Sequence, residues 1–206
     1  MFRLVESIKY LDGKIYNLEY HNERFNRSRK ELFGIKSDIS LEIPIQSSAL
    51  QKEIGLYKCR VIYSEDIEEI EFAPYNFRKI NSVKIVYDDE IDYKYKYLDK
   101  EPFNKLLERK NKCDDIIIVK KGLITDASFA NLVFFDGKKY YTPASPLLKG
   151  TKRAALLDQK IIFERDIAPE DLKSYKKLFF INAMIDLGQT GIDINNINKK
   201  LIREIF

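Results

Sequence analysis

Residues 122–153 decide the fold, and they read GLITDASFANLVFFDGKKYYTPASPLLKGTKR. The apolar residues before Asp126 predict a strand that delivers this carboxylate, and Asp136-Gly137 between apolar alternations predicts a hairpin. Gly150 and Thr151 then predict the start of a helix, where free backbone N–H groups favour an anion. This order puts a carboxylate near the apolar core with a ring of N–H groups beside it. Such a pair could hold both charged ends of one cofactor, a pyridinium nitrogen and a phosphate.

Composition and charge narrow the class of protein. The 206 residues are 45% hydrophobic and 33% charged, which is typical of a soluble globular protein. The 36 basic and 32 acidic residues are interspersed, whereas nucleic-acid binding needs clustered basic residues. Cys59 and Cys113 stand singly, so we expect two buried thiols in a reducing cytosol. With a single histidine, no signal-peptide core and no membrane-length apolar run, we expect a cytoplasmic protein without a metal, nucleic-acid or membrane partner.

The first half of the chain predicts a sheet with one or two helices. Asp12-Gly13 between apolar alternations predicts a hairpin over residues 2–20. Residues 21–33 predict a helix that Gly34 ends, and Pro44 limits any helix in the less clear stretch 41–54 to a start near it. Strand patterns then follow at 57–63, 67–72 and 82–87.

The second half predicts a mixed arrangement of strands and helices. A charged, tyrosine-rich connection over 88–101 leads to a helix over 99–110, with Asp99 as its N-cap. The remaining predicted elements are a strand at 116–119, a hairpin over 129–142, a helix at 151–159, a strand at 161–165, a short helix from Pro169 and a strand at 178–181. We therefore expect an α+β protein of two lobes, a small α+β lobe over 1–95 and a larger α/β lobe over 96–206.

Local sequence alone gives each candidate site residue an ordinary alternative role. Asp126 could cap a turn, Asn131 is expected to tie its loop together, and Gly150-Thr151 could be a plain helix start. His21 begins the arginine-rich helix, where we favour a capping or packing role. Arg24, one turn later, could clamp a phosphate through its planar guanidinium.

Two lysines compete for the role of a Schiff-base lysine. Lys94 and Lys96 alternate with tyrosines, and aromatic neighbours can desolvate an amine and keep it near-neutral. The same alternation is typical of an edge strand with solvated lysines.

Taken together, these motifs resemble the class IV aminotransferases, which are the fold-type IV pyridoxal-phosphate enzymes. His21-x-x-Arg24-Phe25 is similar to the family helix whose arginine binds the cofactor phosphate, and Lys96-Tyr97-Leu98-Asp99-Lys100 is similar to the segment whose lysine holds the cofactor aldehyde. Three further segments match in order along nearly the whole chain: Thr125–Leu132, whose acid faces the pyridine nitrogen, Gly150–Arg153, the phosphate cup, and Ile181-Asn182-Ala183-Met184.

The resemblance implies a two-lobed fold-type IV enzyme that binds pyridoxal phosphate. It makes Lys96 the catalytic residue, preferred over Lys94 because the following residues then align. It makes five residues cofactor-binding: Arg24, Asp126, Thr151, Lys152 and Asn182. Asp126 stands where the family has a glutamate, and the family's opening strand has only an echo in Val5–Ile8.

The resemblance also implies a small-molecule amino substrate and a homodimer. Asn182-Ala183-Met184 resembles the lyase form of its motif, and this favours 4-amino-4-deoxychorismate lyase, which gives p-aminobenzoate and pyruvate for folate biosynthesis. The alternatives are an amino-acid transaminase of the branched-chain or D-amino acid type and a non-catalytic scaffold of the same fold.

Overall fold

The first sheet has the strand order β2-β1-β3-β4, and helices lie along it. The computed structural model describes residues 2–49 and 54–198. The elements of this part are β1 Leu4–Leu11, β2 Lys14–Ile15, α1 Leu18–Phe33, α2 Glu42–Ser48, β3 Leu56–Tyr63 and β4 Ile67–Pro74. The predicted hairpin is confirmed: β1 pairs antiparallel with β2, and Asp12 and Gly13 both have the positive φ that a tight primed turn requires.

Residues of β1 alternate between the two faces of this sheet. Leu4 and Ile8 pack with Phe25 of α1 and with Cys59 of β3 in one buried core. Because neighbouring residues of a strand point to opposite faces, Ser7 and Lys9 are directed away from that core. Helix α1 ends where predicted, since Gly34 adopts a φ of 73° and closes the last turn.

The second sheet has the order β10-β9-β8-β7-β6-β5-β13 within the described ranges, and β11 pairs with β8 and β12. Its core contains Ile117, Val119, Leu132, Phe134 and Phe180, all buried. The elements are β5 Val83–Tyr87, α3 Glu101–Leu107, β6 Asp115–Lys120, β7 Leu123–Ala127, β8 Asn131–Phe135, β9 Tyr140–Pro143, α4 Thr151–Asp158, β10 Ile162–Arg165, β11 Lys177–Ile181, β12 Gly191–Asp193 and β13 Ile197–Asn198, with 3-10 turns at Glu108–Lys110, Pro169–Ser174 and Ile194–Asn196.

A short extended segment links the two sheets and positions Lys96. The N–H of Val5 donates to the carbonyl of Lys96 at 3.0 Å, and the N–H of Leu98 donates to the carbonyl of Arg3 at 2.8 Å. Tyr97 forms an antiparallel bridge with Leu4. Residues 96–98 thus pair briefly with the open edge of β1. This pairing fixes the backbone of Lys96 beside the first sheet.

Three expectations from the sequence need correction. The strand predicted at 82–87 pairs in parallel with β6, so it belongs to the second sheet and not to the sheet of the first half. The helix after the connection begins at Glu101 with Lys100 as its N-cap, although the carboxylate of Asp99 accepts from the N–H of Glu101 at 2.9 Å. Cys59 is buried as predicted, but Cys113 is only half-buried because it lies in a turn.

Other expectations hold or remain predictions. The hairpin around Asp136-Gly137 is confirmed by the antiparallel pairing of β8 with β9. The division of the chain into lobes of 1–95 and 96–206 stays a prediction, and its residues 1, 50–53 and 199–206 lie outside the described part of the chain. Among the helices of the described part, none has both the length and the apolar character needed to cross a bilayer.

Candidate functional site

A cavity of about 330 Å³ opens between the first and the second sheet. Strands β1 and β3 contribute one wall, and the β7–β8 turn and the start of α4 contribute the other. Its lining contains most of the residues that the sequence singled out: Arg24, Lys96, Asp126, Gly150, Thr151 and Asn182. Residues from five separate segments therefore meet at one place.

Lys96 is half-buried and lines the cavity, whereas Lys94 does not. Burial lowers the pKa of Lys96 to about 7, and the nearby charges of Arg24 and Lys100 act in the same direction. The side chain of Lys94 is 67% exposed, and its Nζ lies 2.9 Å from a carboxylate oxygen of Glu31. This ion pair raises the pKa of Lys94, so only Lys96 of the two offers a partly neutral amine near pH 7.

Arg24 is held by a buried carboxylate that the sequence analysis did not single out. Its Nε lies 2.8 Å from Oε1 of Glu6, and its second nitrogen lies 2.5 Å from Oε2. Burial alone would raise the pKa of Glu6, but Arg24 and a hydrogen bond with His21 outweigh it and lower this pKa to about 2. Glu6 is thus a fixed anion that sets the orientation of the guanidinium.

His21 connects this ion pair to helix α4. Its Nδ1 lies 2.6 Å from Glu6, and its Nε2 lies 3.2 Å from the hydroxyl oxygen of Thr151. Burial lowers the pKa of His21, and a neutral ring that donates from Nδ1 to Glu6 leaves Nε2 to accept the Thr151 hydroxyl proton. His21 was expected to cap or to pack, but α1 begins earlier, at Leu18, so His21 does not cap it. Its ring is buried, and both ring nitrogens make contacts, to Glu6 and to Thr151.

Asp126 is buried on the opposite wall, and its carboxylate accepts hydrogen bonds from two donors. Nδ2 of Asn131 donates to Oδ1 at 2.5 Å, and the backbone N–H of Leu147 donates to Oδ2. Burial nevertheless raises the pKa of Asp126 to about 7. These two hydrogen bonds, a further one from the backbone of Leu148 and the charge of Arg153 only partly offset the loss of solvent. A cation placed beside this carboxyl would favour its ionised form.

Gly150 has a steric role that differs from the one expected. A Cβ at this position would lie 2.0 Å from Oδ1 of Asn131. Nδ2 of the same asparagine also donates to the carbonyl of Leu148 at 2.9 Å, so Asn131 does tie its loop together as predicted. Gly150 therefore makes room for the side chain that supports Asp126, while the first N–H groups of α4 remain without partners inside the helix.

Lys152 and Asn182 are placed differently from the residues above. Lys152 is not among the residues that line the cavity, and its Nζ pairs with Asp186. Asn182 lines the cavity, but its Oδ1 accepts from the N–H groups of Met184 and Ile185, and its Nδ2 donates to the carbonyl of Phe129 at 3.2 Å. Its amide keeps one N–H free of these bonds.

Glu6 is the site residue that sequence reasoning missed. It is a fully buried glutamate in the middle of β1, among strand residues that are otherwise largely apolar. A charged residue on the core face of a strand is a signal in itself, because a buried carboxylate needs partners. The sequence could not show that those partners come from α1.

Comparison with known proteins identifies the family. The profile described as Amino-transferase class IV matches residues 97–189. An uncharacterized protein of Haemophilus influenzae is 36% identical over 192 residues, which are 89% of this chain and 98% of that protein. The crystal structure of a candidate 4-amino-4-deoxychorismate lyase from Haemophilus somnus 129PT is 37% identical with a TM-score of 0.84, and the match covers 91% of this chain and 98% of that one.

More distant structures share the fold alone. A hypothetical aminotransferase from Mycobacterium tuberculosis, solved in its PLP-bound form, has a TM-score of 0.73 at 17% identity and matches 98% of this chain and 85% of its own. The sequence relatives and the fold agree with the motifs that line the cavity. The chain belongs to the class IV aminotransferase family and has its fold-type IV architecture.

Proposed function

We propose that the protein is a pyridoxal-phosphate-dependent lyase that converts 4-amino-4-deoxychorismate to p-aminobenzoate and pyruvate. One observation carries the proposal: Lys96, Arg24 and Asp126 line a single cavity although they lie far apart in the sequence. Members of this family use pyridoxal phosphate, and the residues present suit it. They supply a partly neutral amine, a cationic anion-binding end and a buried carboxyl for a ring nitrogen.

When bound, pyridoxal phosphate supplies an electron sink for the negative charge that develops on the substrate carbon. Lys96 is the residue that would hold the aldehyde of the cofactor. Because its pKa is lowered to about 7, a sizeable share of its Nζ is neutral and nucleophilic at physiological pH. Once released by the substrate amine, Nζ can take the proton from the carbon that bears this amine.

Arg24 and the start of α4 would hold the phosphate. The guanidinium is fixed by Glu6 and so needs little reorganisation on binding. The N–H groups of Thr151 and Lys152 open a helix whose dipole favours an anion. Lys152 would thus contribute through its backbone, since its side chain is paired with Asp186.

Asp126 would face the ring nitrogen. Burial raises the pKa of Asp126, and a protonated ring nitrogen beside the carboxyl would lower it again. Asp126 would then stay ionised, and the ring nitrogen would keep its proton. The aspartate is one methylene shorter than the family glutamate. The hydrogen bonds from Asn131 and Leu147 fix its carboxylate at this reach.

The lyase is preferred to a transaminase for two reasons. The Asn182-Ala183-Met184 segment, which resembles the lyase form, lines the cavity. The relative from Haemophilus somnus that bears a candidate lyase name is 37% identical over nearly the full length of both chains. We also propose that the protein is cytoplasmic and that it is a homodimer. Light scattering on the purified protein measures its mass and so tests the homodimer.

The test is a product assay on the protein loaded with pyridoxal phosphate. With 4-amino-4-deoxychorismate as substrate, we expect pyruvate and p-aminobenzoate in equal amounts, and we expect Lys96→Ala to release neither. Lys94→Ala is the matched control and should keep the wild-type rate within about twofold. Keto-acid formation from amino acids without pyruvate release would identify a transaminase, and a loaded protein that yields no product from either would be a scaffold.

A further inference from the structure

Three lysines of the described part of the chain line the cavity without a counter-charge, and one of them, Lys96, is already assigned to the cofactor. The other two are Lys58 and Lys100. Lys58 lies on β3, on the face opposite to Cys59 and its apolar core, and Lys100 is the N-cap of α3. Both line the cavity. Within residues 2–49 and 54–198, neither side chain makes a hydrogen bond or an ion pair.

The two arginines of the cavity wall differ in this respect. Arg24 is paired with Glu6 and is assigned to the cofactor phosphate, and Arg78 lies 2.8 Å from the buried carboxylate of Asp115. Asp126 is the one acidic residue in the described lining, and its oxygens already accept from two donors. The part of the wall that holds Lys58 and Lys100 therefore carries positive charge that the protein itself does not balance.

The charge of Lys58 also acts on Lys100. Lys100 is exposed, yet desolvation of its amine beside the cavity lowers its pKa, and the charges of Lys58 and Arg60 lower it further. Solvent screens part of the repulsion between the two charges because Lys100 is exposed, and an anion that joins them removes what remains. A bound carboxylate would accept hydrogen bonds from both ammonium groups and relieve the repulsion.

The surrounding wall suits a ring-shaped substrate body. Tyr75, Tyr93, Phe103 and Phe129 all line the same cavity. Aromatic walls with a few convergent charges are typical of sites for small cyclic ligands. The cofactor phosphate would be held elsewhere, by Arg24 and the start of α4, since Gly150 and Thr151 do not belong to the wall formed by β3 and α3.

We propose that Lys58 and Lys100 form a carboxylate subsite that selects cyclic substrates bearing an acidic group. The role of this subsite in turnover rests on the proposed function, but its binding of carboxylates can be measured without turnover. The probe is chorismate, a cyclohexadiene with one carboxylate on the ring, a second on its enolpyruvyl side chain and no amine to react. The variants are Lys58→Met and Lys100→Met, with Lys105→Met as a control because Lys105 is exposed and paired with Glu101.

Calorimetric titration of chorismate should be run on the protein with and without pyridoxal phosphate. Loss of a hydrogen bond to a charged group predicts that each cavity variant weakens binding by about tenfold or more, while Lys105→Met stays within about twofold of wild type. Lys58→Arg and Lys100→Arg keep the charge and should hold binding within about threefold. The amount of pyridoxal phosphate released on denaturation should be the same in all loaded variants. The absorbance of the bound cofactor is not the control, because the charges of Lys58 and Lys100 lower the pKa of Lys96.

The outcomes separate this proposal from the proposed function. If wild type binds no chorismate at millimolar concentration, or if both methionine variants bind like wild type, the carboxylate subsite is wrong. If the variants lose binding but loaded wild type releases no pyruvate, the subsite stands and the lyase assignment fails. If pyruvate is released with an unchanged KM in both variants, the lyase assignment stands and the subsite is contradicted.

Discussion

Asp126 shows how one buried carboxyl makes stability depend on pH. Without cofactor its pKa is raised to about 7 from an ordinary value of 3.8, so the folded state holds the proton more tightly than the unfolded state. The stability it contributes is therefore complete below about pH 4 and is lost as the pH rises toward about 7. The asparagine of Asp126→Asn does not titrate. As the pH rises across this window, the free energy of unfolding of this variant should therefore increase by about 1–4 kcal/mol relative to that of wild type.

Urea unfolding of the cofactor-free proteins between about pH 4 and pH 8 measures this difference. Wild type loaded with pyridoxal phosphate is the control, because a cation beside Asp126 should flatten the pH trend. If the free energy of unfolding had the same pH dependence in cofactor-free wild type and Asp126→Asn, the pKa of Asp126 would not be raised in the folded protein.

Glu6 is a second residue whose removal has a defined cost. In Glu6→Gln the buried Arg24 and His21 lose their anion, and breaking a buried pair in this way costs about 3–5 kcal/mol. Pyridoxal phosphate should also bind more weakly because the guanidinium loses its orientation. Glu19→Gln, an exposed change in the first turn of α1, should alter the free energy of unfolding by no more than about 0.5 kcal/mol. Equal stability of the two variants would contradict the ion-pair account.

At the scale of elements, the start of α4 and the β7–β8 turn form one unit. Gly150→Ala would push a Cβ against Asn131, which would then lose its bonds to Asp126 and Leu148. We expect a loss of about 1–3 kcal/mol from overpacking. In an Asn131→Ala background the same change should cost much less, because the obstructing amide is gone. A double-mutant cycle measures this, and purely additive costs would contradict the proposed contact.

Sequence reasoning predicted the elements better than their partners. The hairpins follow from local chemistry, since Asp12-Gly13 and Asp136-Gly137 specify tight turns wherever they occur. The pairing of β5 with β6 was missed because the pattern of a buried strand does not say which sheet it joins. The short helix α2 starts near Pro44 as expected, because proline is tolerated in the first turn of a helix.

The candidate site shows the same limit. Arg24, Lys96 and Asp126 could be chosen from motifs, because each lies in a segment with a local signature. Glu6 could not, since its role depends on α1 crossing β1. The ion pair of the Lys152 side chain could not be predicted from the sequence either, because its partner Asp186 lies in a loop after β11.

At the scale of the whole molecule, a few polar contacts fasten the first sheet to the second. Asp186 accepts from Lys9 of β1 at 2.7 Å and also from Lys152 of α4. Asp186→Ala leaves two amines without their anion, and because Asp186 is partly exposed we expect a loss of only about 1–2 kcal/mol in the free energy of unfolding.

The control for the Lys9–Asp186–Lys152 contact is Asp158→Ala, which removes an exposed hydrogen bond between α1 and α4. We expect it to cost no more than about 0.5 kcal/mol in the same urea titration. If Asp186→Ala were no more destabilising than Asp158→Ala, the Lys9–Asp186–Lys152 contact would not hold the sheets together.

The central claim is that the cavity between the sheets binds pyridoxal phosphate through Lys96. Borohydride reduction of the loaded protein fixes the cofactor on the lysine that holds it, and peptide mass mapping identifies that lysine. We expect the label on Lys96, whose pKa is lowered by burial, and none on the exposed Lys94 that is paired with Glu31. A label on Lys94 or another lysine, or a protein that takes up no label, would contradict the account.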